Sequence, residues 1–146
     1  MGTQEHLLKD LAASLQVAEQ VVFLGNLPNE KLIEQVSRKK ILLMASSQEG
    51  FPMAIAEAFS VGVPAIATDT GDISAFVKDG YNGALHRIDF DEEEYAQSIV
   101  QILNHYESYA SNAFSSSKVF DSETITRNLT ADICHYLMSH AYSFHT

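Results

Sequence analysis

In residues 41–68, ILLMASSQEGFPMAIAEAFSVGVPAIAT, two apolar runs flank a segment with the composition of a helix. Ile41 to Ser46 and Pro64 to Thr68 are short and apolar on successive residues, which is the pattern of strands covered on both faces. Between them a glycine turn leads to Pro52, whose fixed φ and missing N–H suit the first position of a helix running to Val61. A strand, a helix and a second strand in that order make a parallel crossover unit. The neighbouring segments extend the same alternation. Upstream, Leu7, Leu8, Leu11 and Leu15 recur at helical spacing, Gln20 to Gly25 (QVVFLG) reads as a strand, and Asn29 caps a helix through Val36. Downstream, Gly83 to His86 reads as a short last strand. The fold class is α/β, a partial doubly wound parallel sheet of Rossmann-like type followed by C-terminal helices.

The first of those helices carries a full start signal. Asp91 is placed as N-cap with Glu94 at the third helical position, and Phe90 and Tyr95 stand where a hydrophobic staple would. An apolar stripe of Tyr95, Ile99, Ile102, Leu103 and Tyr106 then faces the core. A serine turn, Ser115 to Ser117, precedes a last helix from near Asp121 with Ile125, Leu129, Ile133 and Leu137 on one face.

Composition narrows the partners. The 146 residues suffice for one core, and 46% of them are apolar, so a single folded unit is expected. Nine basic against nineteen acidic residues give a net charge of −10, which supplies no footprint for a phosphate backbone, so nucleic acid is excluded as a partner. A single cysteine, Cys134, and no basic-then-apolar leader point to a reducing cytoplasmic setting.

The chemistry concentrates in Ala45 to Gly62. Free amides around Gly50 to Met53, at a helix start and the carboxyl end of a parallel sheet, suit an anionic pyrophosphate. Glu49 before the turn and Glu57 within the helix add two carboxylates at one mouth, each able to accept two hydroxyls of a sugar or ribose. The alanines 54, 56 and 58 leave room around Glu57.

These residues stand in a longer ordered series. Val22-Phe23-Leu24-Gly25 is followed by Ser46 ahead of Gln48-Glu49-Gly50-Phe51-Pro52, then by Glu57-Ala58 with Gly62-Val63-Pro64. Ala67-Thr68-Asp69 with Gly71 comes next, then Asp79-Gly80 with Asn82-Gly83. From about Gly2 to Leu103 the chain resembles the C-terminal, donor-binding half of a GT-B glycosyltransferase of the retaining family four. The resemblance implies transfer of a sugar from a UDP- or GDP-linked donor to an acceptor sugar or glycoconjugate, with configuration kept, in polysaccharide assembly. It also implies specific roles. Glu49 lies against the donor sugar as the catalytic position, and Ser46 belongs to the same donor site. The amides of Gly50, Phe51 and Met53 around Pro52 face sugar and phosphates, Glu57 holds the ribose, and Asn26 and Leu27 lie near the base. The expected cofactor is none, and the reaction is metal-independent. The implied domains are a partial nucleotide-sugar-binding domain over 1–107 and a helical extension over 108–146.

The series departs from the family pattern at Ala45 for a usual proline, Asp72 for a second glycine and Ala75 for a glutamate. The first strands of the domain and the whole acceptor-binding domain are absent, so Val21 to Leu24 would be the sheet's third strand and Ile41 to Ala45 its fourth. A reduced parallel sheet with 41–45 beside 65–68 is expected. The exposed sheet edges invite self-association, and the fragment alone is expected to be inactive. Full length would be cytoplasmic and peripheral at the inner membrane face. The alternative is a non-catalytic, truncated or degenerate nucleotide-sugar-binding or assembly module. A receiver domain would need a cluster of acids at the end of its first strand, and Gly25-Asn26-Leu27 offers none. Asp89-Phe90-Asp91 matches a metal-holding Asp-x-Asp, but Asp91 has a cap to make. His135 and His140 are five apart, on different helix faces, so no metal is assigned. The sequon Asn128-Leu129-Thr130 is taken as coincidence.

Overall fold

The computed structural model describes residues 4–120. The expected helix from Asp121 to Leu137, and Asn128, Cys134, His135 and His140, lie outside them. The chain divides into two compact units between Glu34 and Gln35, where the length had led us to expect one. In the first unit, helix α1 (Glu5–Ser14) is followed by a 3-10 turn, Ala18–Gln20. Only Ala12 is buried there among the described residues, and the α1 leucines 7, 8, 11 and 15 are exposed. The Lys9 ammonium lies 5.3 Å from the centre of the Phe23 ring.

Residues 21–24 are the first correction, because they form no strand. A strand is defined by its ladder, and no neighbour in the unit offers one. Val22 is 76% exposed. Helix α2 (Asn29–Ser37) follows, beginning with Asn29 inside it rather than at its cap.

In the second unit, β1 (Leu42–Met44), β2 (Ala65–Thr68) and β3 (Gly83–His86) form one parallel sheet in the order β1-β2-β3. Leu43 pairs with Ile66 and Ile66 with Ala84, so the expected adjacency of 41–45 and 65–68 is present. Alternation along β2 divides the core. Ala65 and Ala67 face Ile55 and Phe59 of α3 (Met53–Ser60), Ile73 of α4 (Ile73–Phe76) and Val77. Ile66 faces Tyr95, Ile99 and Ile102 of α5 (Glu92–Asn104) on the other side. Helix α6 (Tyr106–Ser116) reaches both groups, through Ala113 and Tyr109.

Two junctions explain motif residues. Helix α3 ends in a Schellman arrangement, with Gly62 N donating to Phe59 O (3.0 Å) and Val63 N to Ala58 O (2.9 Å). Gly62, at φ +74°, supplies the left-handed turn, and Pro64 follows where the helix cannot continue. The buried Asn82 accepts from Lys78 N at 2.7 Å and donates to Phe76 O and Ser116 Oγ, each at 3.0 Å. Asp79 Oδ1 accepts from Leu85 N at 3.1 Å. The residues from Asp79 to Gly83 thus fasten the β3 entry to α6.

Asp91 caps α5 as expected, its Oδ1 accepting from Glu93 N at 2.7 Å, and the staple rings of Phe90 and Tyr95 lie 4.8 Å apart. The expected stripe is corrected at its end. Helix α5 stops at Asn104, Leu103 is 47% exposed and Tyr106 opens α6. Ser115 and Ser116 end α6, and Ser117 opens a 3-10 turn to Phe120, so the expected serine turn starts late.

Candidate functional site

Parallel pairing sends the carboxyl ends of β1 and β2 to one edge of the sheet, and the loops that leave them meet there. The loop after β1 runs from Ala45 to Pro52 and the loop after β2 from Asp69 to Asp72. Within the first loop, Ser46 Oγ donates to Glu49 Oε1 at 2.6 Å, closing a turn of four residues that holds the carboxylate. Across the loops, Thr68 Oγ1 donates to the Ser46 carbonyl at 2.5 Å. Gly71, at φ +55°, comes so close to the Glu49 carbonyl that a Cβ there would overlap the oxygen. Only glycine meets both conditions, the left-handed backbone and the close approach. Asp72 needs neither. It precedes α4 with φ −96°, an ordinary value for a residue with a side chain.

Pro52 stands one position earlier than expected, at the N-cap of α3, with φ −81° and ψ 71°. Its carbonyl accepts from Ile55 (3.0 Å) and Ala56 (3.2 Å). Met53 N donates to Phe51 O at 2.9 Å. The Met53 amide is therefore engaged within the turn, where the resemblance had it face a donor. The amides that remain to serve an anion are those of Gly50 and Phe51, since proline has none. Phe51 is 54% exposed and meets the rings of Phe76 and Phe120 edge-on, each at 5.7 Å. Glu57 is half-buried on α3, one turn inside the helix.

Ser46, Glu49, Gly50, Phe51, Pro52, Met53 and Glu57 therefore all belong to the second unit, at one sheet edge and the helix that rises from it. Asn26 and Leu27 belong to the first unit, after Gly25 at φ +65°. Spacing alone passed over Thr70. Its hydroxyl is buried in the loop beside Gly71 with no hydrogen-bond partner among the described residues.

The Asp-x-Asp carboxylates are engaged elsewhere. Arg87 donates to Asp89 through Nε (2.9 Å) and a terminal nitrogen (3.2 Å), and this pairing holds the Asp89 carboxyl below its usual range. Among the described residues no group of three or more His, Cys, Asp or Glu is placed to hold a metal ion. A separate cavity of about 320 Å³ lies between β3 and α5, lined by Asp79, His86, Glu94 and Ser98 among others. It includes none of the residues assigned to the donor site from the sequence. His86 Nε2 and Ser98 Oγ are 2.9 Å apart on its wall. No helix among the described residues is long and apolar enough to cross a membrane.

Comparison with known proteins adds relatives to this geometry. A family model described as "Glycosyl transferases group 1" matches residues 1–114. D-inositol 3-phosphate glycosyltransferase of Acidothermus cellulolyticus is 31% identical over 104 residues, covering 70% of this chain and 23% of its own. The chain spans about a quarter of the length of the curated relatives it matches. The apo lipopolysaccharide outer core galactosyltransferase WaaB superposes with a TM-score of 0.82 at 21% identity, over 93% of this chain and 39% of that one. The pneumococcal O-GlcNAc transferase GtfA, solved with UDP and GlcNAc, gives a TM-score of 0.75 at 26% identity, over 93% of this chain and 28% of that one.

Proposed function

The chain belongs to the group 1 glycosyl transferases, and from that premise we propose that it is the donor-binding part of an enzyme of the retaining family four. The enzyme transfers a sugar from a nucleoside diphosphate sugar to an acceptor hydroxyl with the anomeric configuration kept. The observation that carries this reading is the Ser46–Glu49 turn, held at the carboxyl end of a parallel strand directly before α3 and its Glu57. An open α/β sheet receives ligands at that end. The relative GtfA was solved with UDP, which favours a uridine or similar diphosphate as the donor's nucleotide.

In this reading Glu49 accepts hydrogen bonds from donor-sugar hydroxyls and Glu57 from the ribose. The Gly50 and Phe51 amides face the diphosphate, where negative charge grows as the sugar departs. The resemblance assigns Asn26 and Leu27 to the base, and Met53 contributes side-chain surface, being 57% exposed. Transfer proceeds without a metal. Acceptor recognition, and the cations that complete the diphosphate site, belong to a longer protein that works in the cytoplasm at the inner membrane face. Residues 1–107 are assigned to the donor-binding part and 108–146 to an extension of it.

The test is a titration of the 146-residue chain, followed by ligand-observed NMR, with UDP, GDP, UDP-glucose and GDP-mannose. Saturable binding of one nucleotide series is expected, weakened by Glu57→Ala. Absence of binding to all four would remove the reading.

A further inference from the structure

We infer that Thr68 and Gly71, at the carboxyl end of β2, are positioning residues that fix the Glu49 carboxylate, and that they thereby set how well the site distinguishes a nucleotide sugar from the free nucleoside diphosphate. The inference rests on the reading of Glu49 as the group beside the donor sugar. Its ground is how little else restrains the turn that carries Glu49. Glu49 is half-buried, Gly50 is exposed with nothing within 4 Å of where a Cβ would stand, and Ser47 and Gln48 are exposed. The turn is tied to the sheet by two links across to the neighbouring loop. Thr68 Oγ1 holds the Ser46 carbonyl, and the Glu49 carbonyl rests against Gly71.

The far side of these links is rigid. Thr68 is 1% exposed and ends β2, and the next amide, Asp69 N, donates to His86 O of β3 at 2.7 Å. Force on the turn is thus passed to the three-stranded sheet. Ser46 connects this anchor to the chemistry, because its carbonyl is held by Thr68 while its hydroxyl holds Glu49 Oε1 at 2.6 Å. A shift of the Ser46 backbone displaces the carboxylate. Glu57 sits on α3, outside these links, so the nucleotide contacts assigned to it are unaffected. The device acts on the sugar end of the donor alone.

Thr68→Val keeps the shape and removes the donor; Thr68→Ser keeps the donor and removes a methyl. Binding of UDP-glucose and of UDP to the full 146-residue chain is measured for both, for Glu49→Gln and for the double variant Thr68→Val/Glu49→Gln. Thr68→Val should weaken UDP-glucose about three- to tenfold, the range of one hydrogen bond, and leave UDP within about twofold. Thr68→Ser should restore the difference, and Thr68→Val should add little on top of Glu49→Gln. Equal weakening of both ligands by Thr68→Val would reduce Thr68 to a merely structural residue and overturn the inference, as would no change in either. If Glu49→Gln itself leaves the ratio of the two affinities unaltered, or neither ligand binds the unaltered chain, the reading of Glu49 fails instead. A ligand-free readout then still decides positioning. The backbone amide resonances of residues 46–50 should move in Thr68→Val and Gly71→Ala and return in Thr68→Ser, and unmoved resonances would overturn it.

Discussion

Glu57 stands half-buried on a helix whose eight residues, MAIAEAFS, include no basic side chain. A carboxylate so placed, with no basic side chain on its own helix, gains little for the fold. Replacing it with alanine should leave thermal stability near that of the parent and weaken nucleotide binding by tenfold or more. That is the loss of charge-assisted hydrogen bonds worth about 1.5–3 kcal/mol. Unchanged affinity at equal folding would take Glu57 out of the site. Asp89 and Asp91 lead to a second expectation, because Arg87 holds one carboxylate and the α5 amide of Glu93 the other. Sugar transfer by a longer, active protein should persist in excess chelator; activity lost with chelator and regained with manganese would return these two acids to the site. At this scale the Asp91 cap and the positions of the two glutamates, one before α3 and one within it, were legible, since each depends on neighbours a few positions away. Thr68 and Ser46, 22 residues apart in sequence, were visible only as members of a motif series. A hydrogen bond from the end of one strand to the loop after another leaves no periodic trace, and neither does the burial of the Thr70 hydroxyl.

Elements were readable to the degree that each supplies its own boundary. Helix α5 begins where Asp91, Phe90 and Tyr95 place it, and the Asp91→Ala change should lower stability by about 1 kcal/mol, read as a shift in the denaturant midpoint with an unchanged slope. The central unit of β1, α3 and β2 was legible because a continuous apolar run, a proline and a glycine mark its joints. Residues 21–24 have the composition of a strand and no ladder in their unit, so composition misled: pairing is a property of two segments and one segment cannot specify it. Likewise the stripe from Tyr95 to Tyr106 has the right period, but the chain breaks at His105, whose φ of −122° closes α5 and opens α6. The loop at Asp79 to Gly83 shows the reverse. Its residues were noted as family signals, and the structure gives them a packing task. Asn82, 1% exposed with hydrogen-bond partners on α4, on α6 and in the loop after α4, should cost about 2–4 kcal/mol when changed to alanine, because it leaves Lys78 N and Phe76 O without their partner. Denaturant unfolding checks this, and a loss below about 1 kcal/mol would mean that water replaces the side chain.

For the whole molecule, the question is what the proposed donor site can do with one wall. Its loops lie open: Phe51 is 54% and Met53 57% exposed, and on β1 Leu43 is 52% exposed although its neighbour Ile66 is fully buried. Sugar transfer requires an acceptor hydroxyl held against the anomeric carbon, with water kept from competing, and alignment of that kind supplies a large part of the rate. Side chains on one sheet edge can bind a donor, but they cannot align a second substrate or close over it. Relatives about three times as long as this chain have the material for a second wall. The 146-residue chain by itself is therefore expected to bind nucleotide sugar weakly and to transfer nothing, whereas the same residues within a longer protein of this family should turn over. The comparison is made with one nucleotide sugar, following released nucleoside diphosphate and glycosylated product, on a preparation whose mass admits only these residues. Sustained product from that preparation would mean that these 146 residues suffice to align both substrates, and the one-wall argument would be wrong.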